Sequence, residues 1–386
     1  MTDEISSVLV RGQLGHLVDE GFEVTVATRV AESGTMSTDG PDRVWDPGVV
    51  VEQVPFVREP SPVADLRALW SCVRLMRRLR PTIVNASTPK AGLLGMLASW
   101  MCRVPVRVYV VRGFRFETAA GWRRRLFRSL EWVAMRCANH VVFNSRSLLG
   151  VGERERLLAT DRGEVIGAGS GNGIDVARFA GYSLPTRSAA RREFGVPDDA
   201  TVVGFVGRFT GDKGIADLIG AFTSTLRERG DVWLLLVGQF EDGDPVPPDV
   251  RRTIASDDRI VTVPWLADTG VAYRAMDVLA FPSYREGLPN VPIEAQLCGV
   301  PVVAYAATGT VDAVAAGGHG PEAVGGGVLV PVGGVGELGA ALAGMVDDPD
   351  GRAAMGAAGS AWVTARFDRK VLWAGWVQRY CSWAGV

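Results

Sequence analysis

Lysine is almost absent from this chain: of 41 basic residues, only Lys90, Lys213 and Lys370 are lysine. Where arginine is the rule, a lysine inside a motif-like loop asks for a reason. Histidine is equally scarce (His16, His140 and His319), which leaves few candidates for an imidazole base. The five cysteines (Cys72, Cys102, Cys137, Cys298 and Cys381) show no paired C-x-x-C spacing. That argues against a metal knuckle or a disulfide scaffold and suits a reducing cytoplasm. The longest apolar run, AGLLGMLASWMC at 91–102, is too short to span a bilayer, and no secretory leader is expected before the first charged residues. A net charge of −2 gives no global reason to expect nucleic acid as a partner.

What is present is the material of two α/β domains. A length of 386 residues exceeds one ordinary core, and 47% hydrophobic with 22% charged residues reads as soluble and globular. Apolar runs at 22–28, 49–56, 82–87, 106–111 and 140–145 predict strands in the first half. Runs at 201–207, 232–238, 260–264, 278–283, 301–305 and 326–331 predict them in the second. Helical patterns fit between them, around 65–79, 122–137, 215–228, 270–276 and 335–346. The alternation predicts a doubly wound parallel sheet in each half, with the break between Asp175 and Arg192, where both patterns lapse. Such a half normally opens on its central strand, yet the first residues read as a loop and then a helix. The first N-terminal strand is therefore expected to be missing, with a divergent strand in SSVLV (6–10) as the alternative.

Chemistry concentrates in FPSYREGLPNVPIEAQLCGVPVVA, residues 281–304. Two buried-strand runs flank a proline-interrupted loop that holds Glu286 and, eight residues on, Glu294. In open α/β sheets, ligands bind outside the carboxyl ends of the strands. Pro292 suits the first turn of a helix, and Gly287, Leu288, Pro289 and Asn290 lead into its N-terminus, where backbone amides favour a phosphate. Two carboxylates beside a phosphate make sense as acceptors for sugar hydroxyls. The alternative is an ordinary helix-terminal carboxylate. A second loop, GFVGRFTGDKG at 204–214, follows a strand with Gly207, Arg208 and Lys213, two cations able to converge on a diphosphate.

These motifs resemble retaining GT-B glycosyltransferases of family 4. The E-x7-E element is similar to Glu286 and Glu294, and the G-R-x-K-G segment to Gly207 through Gly214. VIGAGSGNGIDVARF (165–179) resembles the family's segment entering the C-terminal domain, and LLLVGQF puts Gly238 at another strand end. YRAMDVLAFPS supplies a helix-to-strand passage in which Asp277 reads as a cap. ATGTVDAV (307–314) departs from the family pattern, with one glycine, Gly309, followed by Asp312. The resemblance implies GT-B architecture: two Rossmann-like domains facing a cleft, at 1–175 for the acceptor and 176–365 for the nucleotide sugar. A last helix, 366–386, crosses back to the first domain. It implies that Glu286 meets donor-sugar hydroxyls, Glu294 the ribose, and Arg208 with Lys213 the leaving diphosphate. Gly207, Gly238, Gly287, Leu288, Pro289 and Asn290 complete the donor site.

The first half resembles enzymes of bacterial capsular and lipid-linked saccharide assembly, through RGQLGHLVDEGFEVTVAT, STPKAGLLG, VVRGFRFETAAGWRRR and VVFNS. Arg112-Gly113 stands where many relatives have a histidine-glycine pair. Lys90, Arg112, Arg115 and Glu117 are the acceptor-side candidates, with ordinary loop charges as the alternative. Residues 112–136 hold seven arginines against two acids, interleaved with Phe114, Phe116, Trp122, Phe127 and Trp132; Arg67, Arg74, Arg77, Arg78 and Arg80 lie near Trp70. This pattern fits an anionic membrane surface, and equally a solvated helix over a core. The D-G-D at 242–244 reads as a solvated loop, so no metal and no cofactor are expected.

The expected function is retaining transfer of a sugar from a nucleotide diphosphate donor, UDP-linked by family habit, to a saccharide or lipid-linked acceptor. The expected place is the cytoplasm, peripheral to the inner face of the cytoplasmic membrane, in surface-polysaccharide or glycoconjugate synthesis. Natural-product glycosylation, a sugar-nucleotide epimerase of the same fold and a non-catalytic sugar-nucleotide-binding partner stand as rivals.

Overall fold

The structure is a computed structural model that describes residues 10, 12–29, 45–57, 61–159, 162–169, 171–180, 185–229, 231–241, 243–266, 268–317 and 325–386. The expectation about a first strand falls on residues 6–10 and lies largely outside the described residues. Among those, the first α-helix is Gln13–Asp19. Two compact units emerge: Met1–Gly173 with Arg369–Val386, and Ile174–Asp368.

In the first unit, β1 (Thr25–Thr28) pairs in parallel with β2 (Val50–Gln53). A second parallel sheet has the order β3 (Ile83–Ser87), β4 (Val106–Val111), β5 (His140–Phe143), β6 (Gly163–Glu164). β4 is VRVYVV, valine at four of six positions and apolar at all but Arg107, as suits a strand covered on both faces. Its side chains alternate between two cores. Val106, Val108 and Val110 join the cluster containing Leu17, Leu372, Trp376 and Tyr380. Tyr109 and Val111 join the one formed with Cys72, Val73, Met96 and Met135. The period of two thus puts the helices Pro62–Leu79, Pro89–Met101 and Gly121–Cys137 on one face. Gln13–Asp19 and Arg369–Ala384 cover the other.

The second unit carries one six-stranded parallel sheet. Its order is β12 (Gly327–Val330), β11 (Val302–Tyr305), β10 (Val278–Phe281), β7 (Thr201–Val206), β8 (Val232–Val237), β9 (Ile260–Val263). From β7 the chain winds one way through β8 and β9, then returns to the other side of β7 for β10 through β12. Strands β7 and β10, in register at Val278 with Val203, flank the topological switch point.

The segment read as a lapse before Arg192 contains two short helices, Val176–Ala180 and Arg187–Phe194. The second is capped by the Thr186 hydroxyl, which accepts from the Ala189 amide. The pattern at 215–228 is helical only to Ala221; Phe222–Leu226 widens into a π turn, where Thr223 and Ser224 donate to carbonyls of Ile219 and Gly220. No helix among the described residues is long and apolar enough to cross a membrane.

Candidate active site

At the carboxyl end of β7 the backbone turns at Gly207 and presents Arg208. The adjacent Phe209 is buried, packs against Phe205 and Phe240, and its amide donates to the Gln239 carbonyl at 2.8 Å. The loops after β7 and β8 are thereby zipped together, which carries Glu241 to Arg208: its carboxylate accepts from Nη1 at 2.9 Å. Gly238, at the end of β8, has its amide on the Val263 carbonyl.

Lys213 stands at the end of the same loop. Gly214 follows with φ +67°, and a Cβ there would lie 2.1 Å from the Pro282 carbonyl oxygen, so only glycine lets this loop close on β10. The result is a contact across the switch point: Lys213 Nζ lies 2.5 Å from Glu286 Oε1, which also accepts from the Ser283 hydroxyl at 2.7 Å. Both side chains are mostly buried. The Glu286 loop is held from behind by residues 307–309. Its amide donates to the Thr308 carbonyl at 3.1 Å, and Gly309 (φ +77°) approaches so closely that a Cβ would sit 2.6 Å from the Gly287 oxygen.

Asp212 is the carboxylate shared by the cations. It accepts from the Thr210 hydroxyl at 2.6 Å and lies 3.7 Å from Arg208 Nη2 and 4.0 Å from Arg285 Nη2. Burial alone would raise its pKa. The Thr210 hydrogen bond and the charges of Lys213, Arg208 and Arg285 outweigh that and hold the group below its ordinary value.

Leu288 and Pro289 are buried and lead into the helix Asn290–Leu297, whose first amides have no intrahelical partner by geometry. Glu294 lies one turn on and accepts from the hydroxyls of Thr269 at 3.2 Å and Tyr273 at 3.0 Å. Burial pushes its pKa up against these hydrogen bonds.

Other candidates are placed elsewhere. Asp277 is more than a cap: it accepts from Arg191 Nη2 at 2.6 Å, from the Val202 amide at 2.7 Å and from Arg187. It anchors the sheet away from the site. Asp244 of the D-G-D run is a loop staple, accepting from the Asp212 amide at 2.7 Å; Asp242 lies outside the described residues. Among the described residues no group of three or more His, Cys, Asp or Glu side chains is arranged to hold a metal.

In the first unit, Arg112 follows β4 and lines a cavity of about 190 Å³ with Asn85, Ser87 and Tyr380. The other acceptor-side candidates do not line it. Lys90 pairs with Asp65 at 2.7 Å, Arg115 lies 5.1 Å over the Phe127 ring, and the Glu117 amide donates to the Phe114 carbonyl. Phe114 and Phe116 belong to the core, whereas Trp70, Trp122 and Trp132 are exposed.

Comparison with known proteins matches each unit to its own family model. Residues 6–159 fit a glycosyl transferase 4-like domain, and residues 200–348 fit glycosyl transferases group 1. The chain is a GT-B glycosyltransferase. This glycosyltransferase is 29% identical over 365 residues to the capsular polysaccharide biosynthesis glycosyltransferase CapM of Staphylococcus aureus, covering 95% of this chain and 91% of CapM. It is 25% identical over 291 residues to the Escherichia coli UDP-Gal:alpha-D-GlcNAc-diphosphoundecaprenol alpha-1,3-galactosyltransferase, covering 74% and 72%. HepE of Anabaena, solved with UDP-glucose, superposes with a TM-score of 0.75 at 21% identity over 98% of this chain and 95% of HepE. The doubly wound architecture expected from the strand pattern is the one observed.

The sequence singles out Arg208, Lys213, Glu286 and Glu294, and the structure sets beside them three charged side chains that the sequence does not mark. Asp212, Glu241 and Arg285 each stand beside a motif position, and no periodicity marks them. The Arg208–Glu241 pair spans 33 residues and depends on the Phe209–Phe240 contact, which only the fold reveals.

Proposed function

We propose that the chain transfers a sugar from a nucleotide diphosphate donor, with retention of configuration, to a saccharide or lipid-linked acceptor in surface-polysaccharide synthesis. The observation that carries this reading is the pairing of Lys213 with Glu286 at the switch point, beside Arg208. A cation and a carboxylate held side by side suit the two halves of a sugar diphosphate. Arg208 and Lys213 offset charge on the departing diphosphate, and Glu286 accepts hydrogen bonds from the sugar hydroxyls. Amides of Gly287, Leu288 and Asn290 face the phosphates, Pro289 fixes their entry to the helix, and Glu294 takes the ribose. Gly207 and Gly238 keep the strand ends open. As the diphosphate leaves, the anomeric carbon gains oxocarbenium character. The acceptor hydroxyl attacks from the same face, and its proton passes to the leaving phosphate. That route needs neither a histidine base nor a metal, so EDTA should leave the rate unchanged.

UDP is the proposed carrier, supported by HepE solved with UDP-glucose and by the UDP-Gal enzyme among the relatives. Lys90, Arg112, Arg115 and Glu117 are proposed for the acceptor. Peripheral attachment to the inner face of an anionic membrane is favoured by one specific observation. Residues 61–137 hold fifteen basic residues against three acidic ones, and Trp70, Trp100, Trp122 and Trp132 are exposed there. Co-sedimentation with phosphatidylglycerol vesicles and not with phosphatidylcholine tests it.

The central reading is tested with UDP-, GDP- and dTDP-sugars in a thermal-shift and donor-hydrolysis panel. Selective stabilisation with slow release of nucleoside diphosphate supports transfer. Conversion of the donor to an epimer without any acceptor, or binding without turnover, overturns it in favour of an isomerase or a non-catalytic partner.

A further inference from the structure

We propose that Arg285 is a third cation of the donor site and binds the sugar-linked phosphate of the nucleotide sugar. The inference rests on the reading of Arg208 and Lys213 as diphosphate ligands, and adds a residue that neither the motif spacing nor the family resemblance singles out.

Three observations converge on Arg285. Its Nε is buried and has no hydrogen-bond acceptor among the described residues. A buried guanidinium N–H without a partner is costly, since a donor taken from water forfeits its hydration unless something accepts from it. Second, its Nη2 faces Asp212 at 4.0 Å, beyond hydrogen-bond distance, while Arg208 Nη2 faces the same carboxylate oxygen at 3.7 Å. Two guanidinium groups approach one oxygen and neither closes on it. An anion with more oxygens than a carboxylate satisfies both, and a phosphate offers that geometry. Third, the position in the chain chooses the phosphate. Arg285 precedes Glu286, whose carboxylate is held by Lys213 and Ser283, and the Ser283 hydroxyl also reaches the Arg285 carbonyl at 3.5 Å. Arg285 therefore lies on the side of the site assigned to the sugar, next to the phosphate that bears it.

Charge balance agrees. The acids facing the three cations are Asp212, Glu241 and Glu286. Three cations against three carboxylates make a near-neutral group, so a diphosphate binds there by exchanging partners: it draws Arg208 from Glu241 and both arginines from Asp212. Asp212 remains anchored by Thr210, which keeps the loop in place during that exchange.

The test compares affinities of UDP, GDP and dTDP with those of the matching monophosphates, by calorimetry on the full chain. Arg285→Gln should weaken the preferred diphosphate about ten-fold or more, the worth of one charge-assisted hydrogen bond, and change the monophosphate less than about two-fold. A purely structural role for Arg285 would weaken both alike and overturn the assignment. Arg285→Lys keeps the charge and removes the planar fork; it should recover part of the loss, and it carries the test if the glutamine variant fails to fold. Equal diphosphate affinity in wild type and Arg285→Lys would refute the role of the fork. Arg208→Ala separates this inference from the one beneath it. If Arg208→Ala weakens the diphosphate and Arg285→Gln does not, the third cation is wrong and the donor site stands. If neither weakens it, both fall.

Discussion

On the proposed reading, in which the Glu286 carboxylate serves the sugar while restraining a cation meant for the phosphates, removing Glu286 should move two observables in opposite directions. In Glu286→Ala the acceptor for the donor-sugar hydroxyls disappears. Loss of one preorganised transition-state contact costs about 2.7–4 kcal/mol, so kcat should fall by roughly 10²–10³. Lys213 meanwhile loses its partner at 2.5 Å. The two side chains are 18% and 14% exposed, which places the pair between a surface bridge of about 0–1 kcal/mol and a buried one of about 3–5 kcal/mol. Discounted for that residual solvent, about 1 kcal/mol of Lys213's interaction becomes available to the ligand, and nucleoside diphosphate should bind as well as before or up to about five-fold tighter. The assay is coupled release of nucleoside diphosphate for kcat, with calorimetry of the diphosphate alone for binding. If transfer persists at the wild-type rate, Glu286 does not touch the sugar. If transfer and diphosphate affinity fall together, the carboxylate acts by shaping the loop, and the division of labour between Glu286 and Lys213 is refuted.

Glu241→Gln frees Arg208 from its carboxylate partner at 2.9 Å. Diphosphate affinity should rise about two- to five-fold at low salt, the range of a partly exposed pair, and the gain should shrink at 0.5 M salt. Gly214→Ala puts a Cβ against the Pro282 carbonyl at φ +67° and should cost roughly 1–3 kcal/mol in chemical denaturation, with weakened diphosphate binding because Lys213 is displaced. Glu131 gives the pH prediction. Carried on the buried face of the helix Gly121–Cys137 and accepting from the Tyr109 hydroxyl at 2.7 Å, it has its pKa pushed by burial from 4.5 up to about 7. The folded state binds this proton more tightly than the unfolded one, so stability is present below about pH 4.5 and is lost as pH rises toward 7. Glu131→Gln should therefore raise stability at pH 8 by up to about 3 kcal/mol and give no gain at pH 4, read from denaturation midpoints at both pH values.

The strands were legible because a parallel sheet buries both faces, which turns each strand into an apolar run bounded by turn residues. VRVYVV and VWLLLV could scarcely be anything else. The features that escaped are those whose physics is not periodic. β6 is two residues long, too short for any pattern. The helix Arg187–Phe194 reads as RSAARREF, polar enough to be taken for a linker, because pattern reading assumes that arginine faces water. Here Arg191 is only 1% exposed, its guanidinium donating to Asp277 and to the carbonyls of Ala275, Asp198 and Ala200. Composition cannot announce a buried ion pair that closes over 86 residues.

The candidate site divides along the same line. Its motif residues were visible because they are unusual residue types for their places: a rare lysine before a glycine, a glutamate inside a proline-rich strand end. Their counter-ions were invisible because any loop acid reads as solvated. Asp212, Glu241 and Arg285 acquire meaning only once the switch point draws together loops from β7, β8 and β10. If, as proposed, the site releases a highly charged diphosphate, it cannot be lined by cations alone, since every uncompensated charge would hold the product as tightly as the donor. Carboxylates interleaved with the cations, as Asp212, Glu241 and Glu286 are here, lower that hold.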